Sequence, residues 1–294
     1  MVRAVHEPNM TKRDFHRFIA PAVLAAAGVT ASCASAPSQP RVIPFPQIVS
    51  EAPRTGGLIT TYSEALSAVL SVMQNDLGFP PLAGSLRLYY DRSSMEAGLI
   101  GEGYAADYAR QIASKLDGLS RPGLVLANDA VLRWQHWPQR MGFLAHETTH
   151  VAEYALAGGH RSSSDQWLRE GLAEWVAWRV ADTLNLGSSA ARKRAVVLGL
   201  RQARDKHELL TFSELASQTA WVRTGNRKTT QAMYFQVFLA ADLLIERRGL
   251  PAVLDYFRLF ASSDDPGANF RAAFHEDRAS FEAAYEKNLT QLLD

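Results

Sequence analysis

Two histidines and a glutamate lie close together in the middle of the chain, at His146, Glu147 and His150, within the motif HETTH. A spacing of four residues places both imidazoles on one face of a helix, one turn apart, where they can share one Zn²⁺ ion. Glu147 projects beside that ion and can take a proton from a zinc-bound water, whose pKa falls to about 7. The alternative interpretation is a pair of helix-face histidines that make ordinary hydrogen bonds.

A catalytic zinc site needs a third protein ligand and one open position. A third histidine, expected six residues after His150 in one zinc motif, is excluded because Leu156 occupies that position. Glu153 also replaces the glycine that this motif requires. His160 is close in sequence, but it follows a Gly-Gly turn and is predicted to be a loop residue.

A second motif, WLREGLAEW, follows at residues 167–175. Together with HETTH it resembles the gluzincins, in particular the thermolysin-like "peptidase MA" group and its aminopeptidase relatives. The resemblance implies that Glu170, separated from His150 by nineteen residues, is the third zinc ligand. It also implies that Glu174, one helical turn later, accepts a hydrogen bond from a ligand histidine. The alternatives are a solvated helix acid at Glu170 and a surface charge at Glu174.

The resemblance also suggests a group that stabilises the oxyanion. The aminopeptidase relatives use a tyrosine at the start of a long helix for this purpose. Tyr234 stands in the corresponding place, and the alternative is that it packs in the core like Phe235 and Phe238. Tyr154 and Tyr256 are predicted to be packing residues.

The aminopeptidase branch is disfavoured by a missing element. The Gly-x-Met-Glu-Asn segment that anchors a free amino group in those enzymes has no counterpart upstream of HETTH. Residues 124–129 stand there instead, where the family has an edge strand beside the cleft, and an extended peptide could pair with such a strand. The resemblance therefore implies an endopeptidase rather than an aminopeptidase.

Residues 1–36 are typical of an export signal, because a basic stretch at 12–17 precedes an apolar run at 18–29 and several small residues. A membrane-spanning helix is the alternative, but the run is short and contains Pro21. The segment 11–15 resembles a twin-arginine signal in which Lys12 replaces the first arginine. Cys33, the only cysteine, resembles a lipobox residue whose lipidation would attach the protein to a membrane; cleavage after Ala36 is the alternative. The expected location is the bacterial periplasm or envelope, or the medium.

Composition limits the remaining function classes. The chain has 294 residues, of which 47% are hydrophobic and 21% charged, as in ordinary globular proteins. Its formal net charge of +1 and scattered basic residues disfavour nucleic-acid binding. A proline-rich linker is predicted at 37–57 and a single catalytic domain at 58–294, with an α+β part at 58–158 and a helical part at 159–294.

Hydrophobic periodicity predicts an α+β fold that is mostly α, with a small sheet before and around the HETTH helix and a helical second half. Strands are predicted at 86–90 and 123–127. Helices are predicted at 60–75, 95–116 with a break near 98–103, 139–157, 165–184, where Asp165 is the cap, 189–204, 211–218, 228–248, 251–261 and 278–293.

The sequence therefore predicts a zincin-like, exported peptidase with one Zn²⁺ ion. In the predicted mechanism, zinc-bound water attacks a peptide carbonyl, and Glu147 delivers a proton from this water to the leaving amine. The predicted partner is a peptide or protein substrate. Two alternatives stay open, a non-catalytic zinc-binding envelope lipoprotein and a hydrolase of cell-wall amides.

Overall fold

The computed structural model describes residues 39–46, 59–160, 163–216, 221 and 227–294. The predicted export signal and Cys33 lie outside these residues, so export and lipidation stay predictions. Among the described helices, none combines the length and the apolar character needed to cross a bilayer.

Four strands form a mixed sheet within the described part of the chain: β1 (Arg41–Pro44), β2 (Ser85–Tyr89), β3 (Gly118–Arg121) and β4 (Leu124–Asn128). Their order is β1-β2-β4-β3; β2 and β4 are parallel, and the outer pairs are antiparallel. Val125 and Ala127 face the main core, whereas Leu126 belongs to a second apolar cluster on the opposite face. Because both faces of β4 are buried, its first four residues form a continuous apolar run.

Helices make up most of the described chain, which confirms the α+β, mostly α class. In chain order they are α1 (Tyr62–Ser71), α2 (Arg92–Gly101), α3 (Ala106–Lys115), α4 (Asp129–Leu132), α5 (Trp137–Leu156), α6 (Gln166–Thr183), α7 (Ser189–Asp205), α8 (Phe212–Ala216), α9 (Arg227–Arg248), α10 (Leu250–Leu259), α11 (Pro266–Phe274) and α12 (Arg278–Leu293). A π-helical segment, Val72–Asp76, continues α1. One apolar core runs from Ile43 to Leu293, across both predicted parts of the domain.

Two strands depart from the prediction. β1 lies inside the stretch predicted as a linker at 37–57, where it pairs with β2 and buries Ile43. Proline is tolerated there because β1 is an edge strand and Pro44 is its last residue. β3 falls where no element is predicted. It occupies the opposite edge of the sheet and contacts α5, so the segment 124–129, expected at the edge, lies inside the sheet between β2 and β3.

Asp165 occupies the N-cap position of α6, as predicted, but its side chain does not cap the helix. The carboxylate instead accepts a hydrogen bond from Arg278 at 2.6 Å and one from the Tyr256 hydroxyl at 3.2 Å. This carboxylate therefore joins the start of α6 to α10 and α12. Tyr256 is fully buried, in agreement with the packing role predicted for it.

The second motif forms α6, which packs between α5 and α9. Four apolar side chains of the motif are completely buried: Trp167, Leu168, Leu172 and Ala173. Trp167 stacks on Phe281 with ring centroids 5.3 Å apart, which anchors the first turn of the helix. The remaining face of α6 turns towards α5 and carries the two acids of the motif.

Gly171 allows α6 and α9 to approach closely. A Cβ atom at this position would lie 2.8 Å from the Ala241 Cβ and closer still to the Val237 carbonyl oxygen, which is backbone and cannot move aside. We expect Gly171→Ala to lower the free energy of unfolding by about 1–3 kcal/mol, as overpacking typically does. Thermal denaturation measures the loss. Gly101→Ala is the control, because a Cβ there meets nothing within 4 Å; equal melting temperatures for the two variants would contradict the prediction.

Candidate metal centre

The two histidines of α5 face the same point, as their spacing predicts. The Nε2 atoms of His146 and His150 lie 3.2 Å apart, and their ring centroids 4.9 Å apart. Both side chains are largely buried, with 13% and 12% exposed. The helix brings the two side chains together, because residues four apart are neighbours on its surface.

Helix α6 brings Glu170 to the same point. Its Oε2 lies 3.5 Å from His146 Nε2 and 3.8 Å from His150 Nε2. The other oxygen, Oε1, accepts a hydrogen bond of 2.8 Å from the Gln166 side chain, which leaves Oε2 directed at the histidines. The group His146, His150 and Glu170 could therefore hold a metal ion, with ligand atoms all within 4.8 Å of one another.

The donor set fits a zinc ion. Tetrahedral coordination with bonds of about 2.0–2.1 Å places ligand atoms roughly 3.3 Å apart. The three observed separations, 3.2, 3.5 and 3.8 Å, are close to this value. Two imidazoles and one carboxylate leave one position open for a water or a substrate, as in catalytic rather than structural zinc sites.

The electrostatics of the group favour a cation. Burial opposes the charged form of His146, but hydrogen bonds and charges from Glu170 and Glu174 outweigh it and raise the pKa of the imidazole. Burial likewise opposes ionisation of Glu170, yet the adjacent His150 and His146 lower its pKa to about 2. The shift of His146 shows that the acids around it stabilise a positive charge, and the shift of Glu170 shows that its carboxylate stays ionised, which is the charge state a cation requires.

Glu174 lies where the resemblance implies. Its Oε1 is 2.9 Å from His146 Nδ1, and only 4% of the residue is exposed. An ionised carboxylate can only accept, so His146 Nδ1 carries a proton and donates it to Glu174, which leaves Nε2 as the ring nitrogen that faces the other ligand atoms. The alternative of a surface charge does not fit this burial.

Glu147 lies outside the ligand group, and 9% of it is exposed. Ser120, on the edge strand β3, places its hydroxyl 2.6 Å from Glu147 Oε2 and 2.8 Å from the Glu147 carbonyl oxygen. The hydroxyl donates its single proton to one of these two acceptors. Ser120 therefore links the edge strand to the acid that follows His146 in the chain, and nothing in the sequence around it signals this contact.

Tyr234 is brought to the group by the first turns of α9. Its ring lies 6.2 Å from the His146 ring and 5.2 Å from the Trp221 ring, measured between centroids. Burial raises the pKa of the phenol, and the charges of Glu170, Glu174 and Glu147 raise it further. The hydroxyl therefore keeps its proton and can act as a hydrogen-bond donor.

The remaining residues singled out in the sequence do not belong to the ligand group. His160 does not belong to the ligand group found among the described residues. Tyr154 is 8% exposed. The Arg169 guanidinium carbon lies 5.6 Å from the centroid of the Tyr154 ring, which agrees with a packing role for this tyrosine. Glu153, noted in the sequence only because it excludes a third histidine, is buried against His150.

Comparison with models of protein families, with curated proteins and with solved structures gives no match. A function for this site is therefore inferred from its residues and their geometry.

Proposed function

We propose that this protein is a zinc-dependent peptidase of the gluzincin type, with a zincin-like catalytic domain. The observation that carries the proposal is the convergence of His146, His150 and Glu170 from two helices, with Glu147 directly after the first of these residues in the chain. This convergence satisfies the ligand count and the open position of a catalytic zinc site.

Another metal chemistry uses the same ligand types. Two histidines and one carboxylate also bind Fe(II) in oxygenases, so the donor set alone does not identify the reaction. Glu147 favours hydrolysis, because a carboxylate next to a metal ligand and outside the ligand group is suited to move protons of water. The proposal therefore depends on Glu147 as much as on the three ligands.

The proposed mechanism assigns each proton to a residue of this chain. A Zn²⁺ ion held by the three ligands would supply Lewis acidity, lowering the pKa of coordinated water to about 7 and polarising a carbonyl. Glu147 takes a proton from the attacking water and passes it to the leaving amine. Ser120 orients the Glu147 carboxylate through the contact at 2.6 Å. Tyr234 donates a hydrogen bond to the developing oxyanion.

The edge strand β3 supports a peptide as the substrate. It is paired on one side with β4, and it lies beside α5. An extended peptide that adds to the free side of such a strand gains main-chain hydrogen bonds without a requirement for sequence. Ser120 would then lie close to both the peptide backbone and Glu147.

Tyr234→Phe tests the oxyanion role. We expect kcat to fall by about 100- to 1,000-fold, the usual effect of losing one oxyanion donor, while zinc binding is unchanged. Steady-state kinetics and metal analysis of the purified protein measure both quantities. Tyr90→Phe is the control, because Tyr90 is 60% exposed. A Tyr234→Phe enzyme with the kcat of the wild type would contradict this role.

The proposal as a whole is tested by zinc content and by hydrolysis of casein and of a broad peptide library. We expect one zinc ion per chain and cleavage at internal peptide bonds. A wild-type protein that binds no zinc would overturn the proposal. Zinc bound without any hydrolysis would favour a non-catalytic binding protein, and hydrolysis confined to cell-wall amides would change the substrate class.

A further inference from the structure

A buried acid, Glu153, lies one turn after His150 on α5. Only 1% of the residue is exposed. Its Oε2 is 3.1 Å from His150 Nδ1 and 3.2 Å from a terminal nitrogen of Arg169. The same carboxylate oxygen therefore contacts both His150, a predicted metal ligand, and Arg169, which directly precedes the predicted ligand Glu170.

The ion pair that Glu153 makes is buried at both ends. Arg169 is 5% exposed, and its guanidinium lies over the Tyr154 ring. A buried pair of this kind adds little stability compared with apolar residues of the same size, because both charges lose their hydration. Glu153 Oε1 is in addition buried without a hydrogen-bond partner among the described residues, which costs further stability. Stability alone therefore does not explain why this pair is here.

The contact between Glu153 and His150 determines which ring nitrogen of the histidine carries a proton. An ionised carboxylate can only accept, so the proton of His150 resides on Nδ1. The Nε2 lone pair then faces His146 Nε2 and Glu170 Oε2, at 3.2 and 3.8 Å. Glu174 fixes His146 in the same way from α6. Each ligand histidine thus has its own buried acid.

We propose that Glu153, held in place by Arg169, is a positioning residue that fixes the tautomer and the ring orientation of His150. Because Arg169 directly precedes Glu170, the pair also couples the ligands on α5 to the ligand on α6. This inference rests on the zinc site of the proposed function, and it adds a supporting residue that the two motifs do not contain.

The test replaces the pair with apolar residues of similar size. The double variant Glu153→Leu/Arg169→Met leaves no stranded charge, so we expect the metal-free protein to unfold at the temperature of the wild type or above it. Its affinity for Zn²⁺, measured by competition with a chromophoric chelator, should fall by about 10- to 100-fold. The ¹⁵N shifts of the His150 ring should report the Nδ1–H tautomer in the metal-free wild type and a mixture of tautomers in the variant.

Two further variants sharpen the result. Glu153→Gln keeps a neutral acceptor and should lose less affinity than the double variant. Glu276→Gln is the matched control, because Glu276 is a largely buried acid that pairs with Arg247 and Arg248 at the far end of α9. This control should keep the zinc affinity of the wild type.

Each outcome separates the inference from the proposed function. A folded double variant with the zinc affinity and the His150 tautomer of the wild type would overturn the inference and leave the zinc site intact. A wild type that binds no zinc would overturn both. Zinc binding without hydrolysis would contradict the proposed peptidase activity. A loss of zinc affinity in the double variant would still support the positioning role of Glu153.

Discussion

Replacing Glu147 by glutamine is expected to remove most of the hydrolytic activity while zinc stays bound. Glutamine has nearly the same shape and still accepts a hydrogen bond from Ser120, so the surroundings of the site are kept. It cannot take a proton from water, and loss of a general base typically costs about 100- to 10,000-fold in kcat. The measurements are kcat on a peptide substrate and zinc per chain in the same preparation.

The control for Glu147→Gln is the same substitution at Glu96. This acid lies on α2, whose buried apolar residues, Met95 and Leu99, belong to the second apolar cluster, on the face of the sheet opposite the main core. It pairs with Arg110, a side chain that is 65% exposed. Activity should be unchanged in Glu96→Gln. If Glu147→Gln retained the activity of the wild type, Glu147 would not be the base, and the hydrolytic mechanism would be wrong.

Replacing Glu170 by alanine is expected to remove both zinc and activity. The variant leaves two imidazoles from a single helix, and it deletes the only anionic member of the ligand group. We expect the zinc affinity to fall by more than the roughly 10- to 100-fold that follows loss of a supporting residue. Chelator competition measures the affinity, and peptide hydrolysis measures the activity.

The comparison for Glu170→Ala is Gln166→Ala, which removes the hydrogen bond to Glu170 Oε1 but keeps the ligand oxygen. Gln166→Ala should weaken zinc binding much less. Circular dichroism confirms that both variants are folded. A Glu170→Ala protein with full zinc content would contradict the assignment of Glu170 as a ligand. It would favour His160 as the third ligand instead.

Local patterns predicted the two helices of the site well, but they did not predict α4 and α11. The helix that carries HETTH was predicted at 139–157 and is α5, Trp137–Leu156. The helix that carries the second motif was predicted at 165–184 and is α6, Gln166–Thr183. Helical hydrogen bonds and side-chain spacing join residues within four positions, so a short window of sequence contains the required information.

Strand pairing was predicted less well. β1 was predicted to be a linker, and its partner β2 lies more than forty residues further along the chain. β3 was not predicted, and its position at the edge depends on which strands pair with β4. Strand partners and strand order depend on distant segments, which a local pattern does not contain.

The sequence by itself determined the metal-ligand candidates. His146 and His150 are adjacent because an α-helix makes residues four apart neighbours, and Glu170 and Glu174 share a helix face for the same reason. Only the tertiary structure decided that α6 packs on α5 so that Glu170 Oε2 meets both histidines, and that Ser120 contacts Glu147. It also decided that Glu153 is an acid buried between His150 and Arg169 rather than a solvated one. These contacts join different elements, and the packing of whole elements against one another sets their distances.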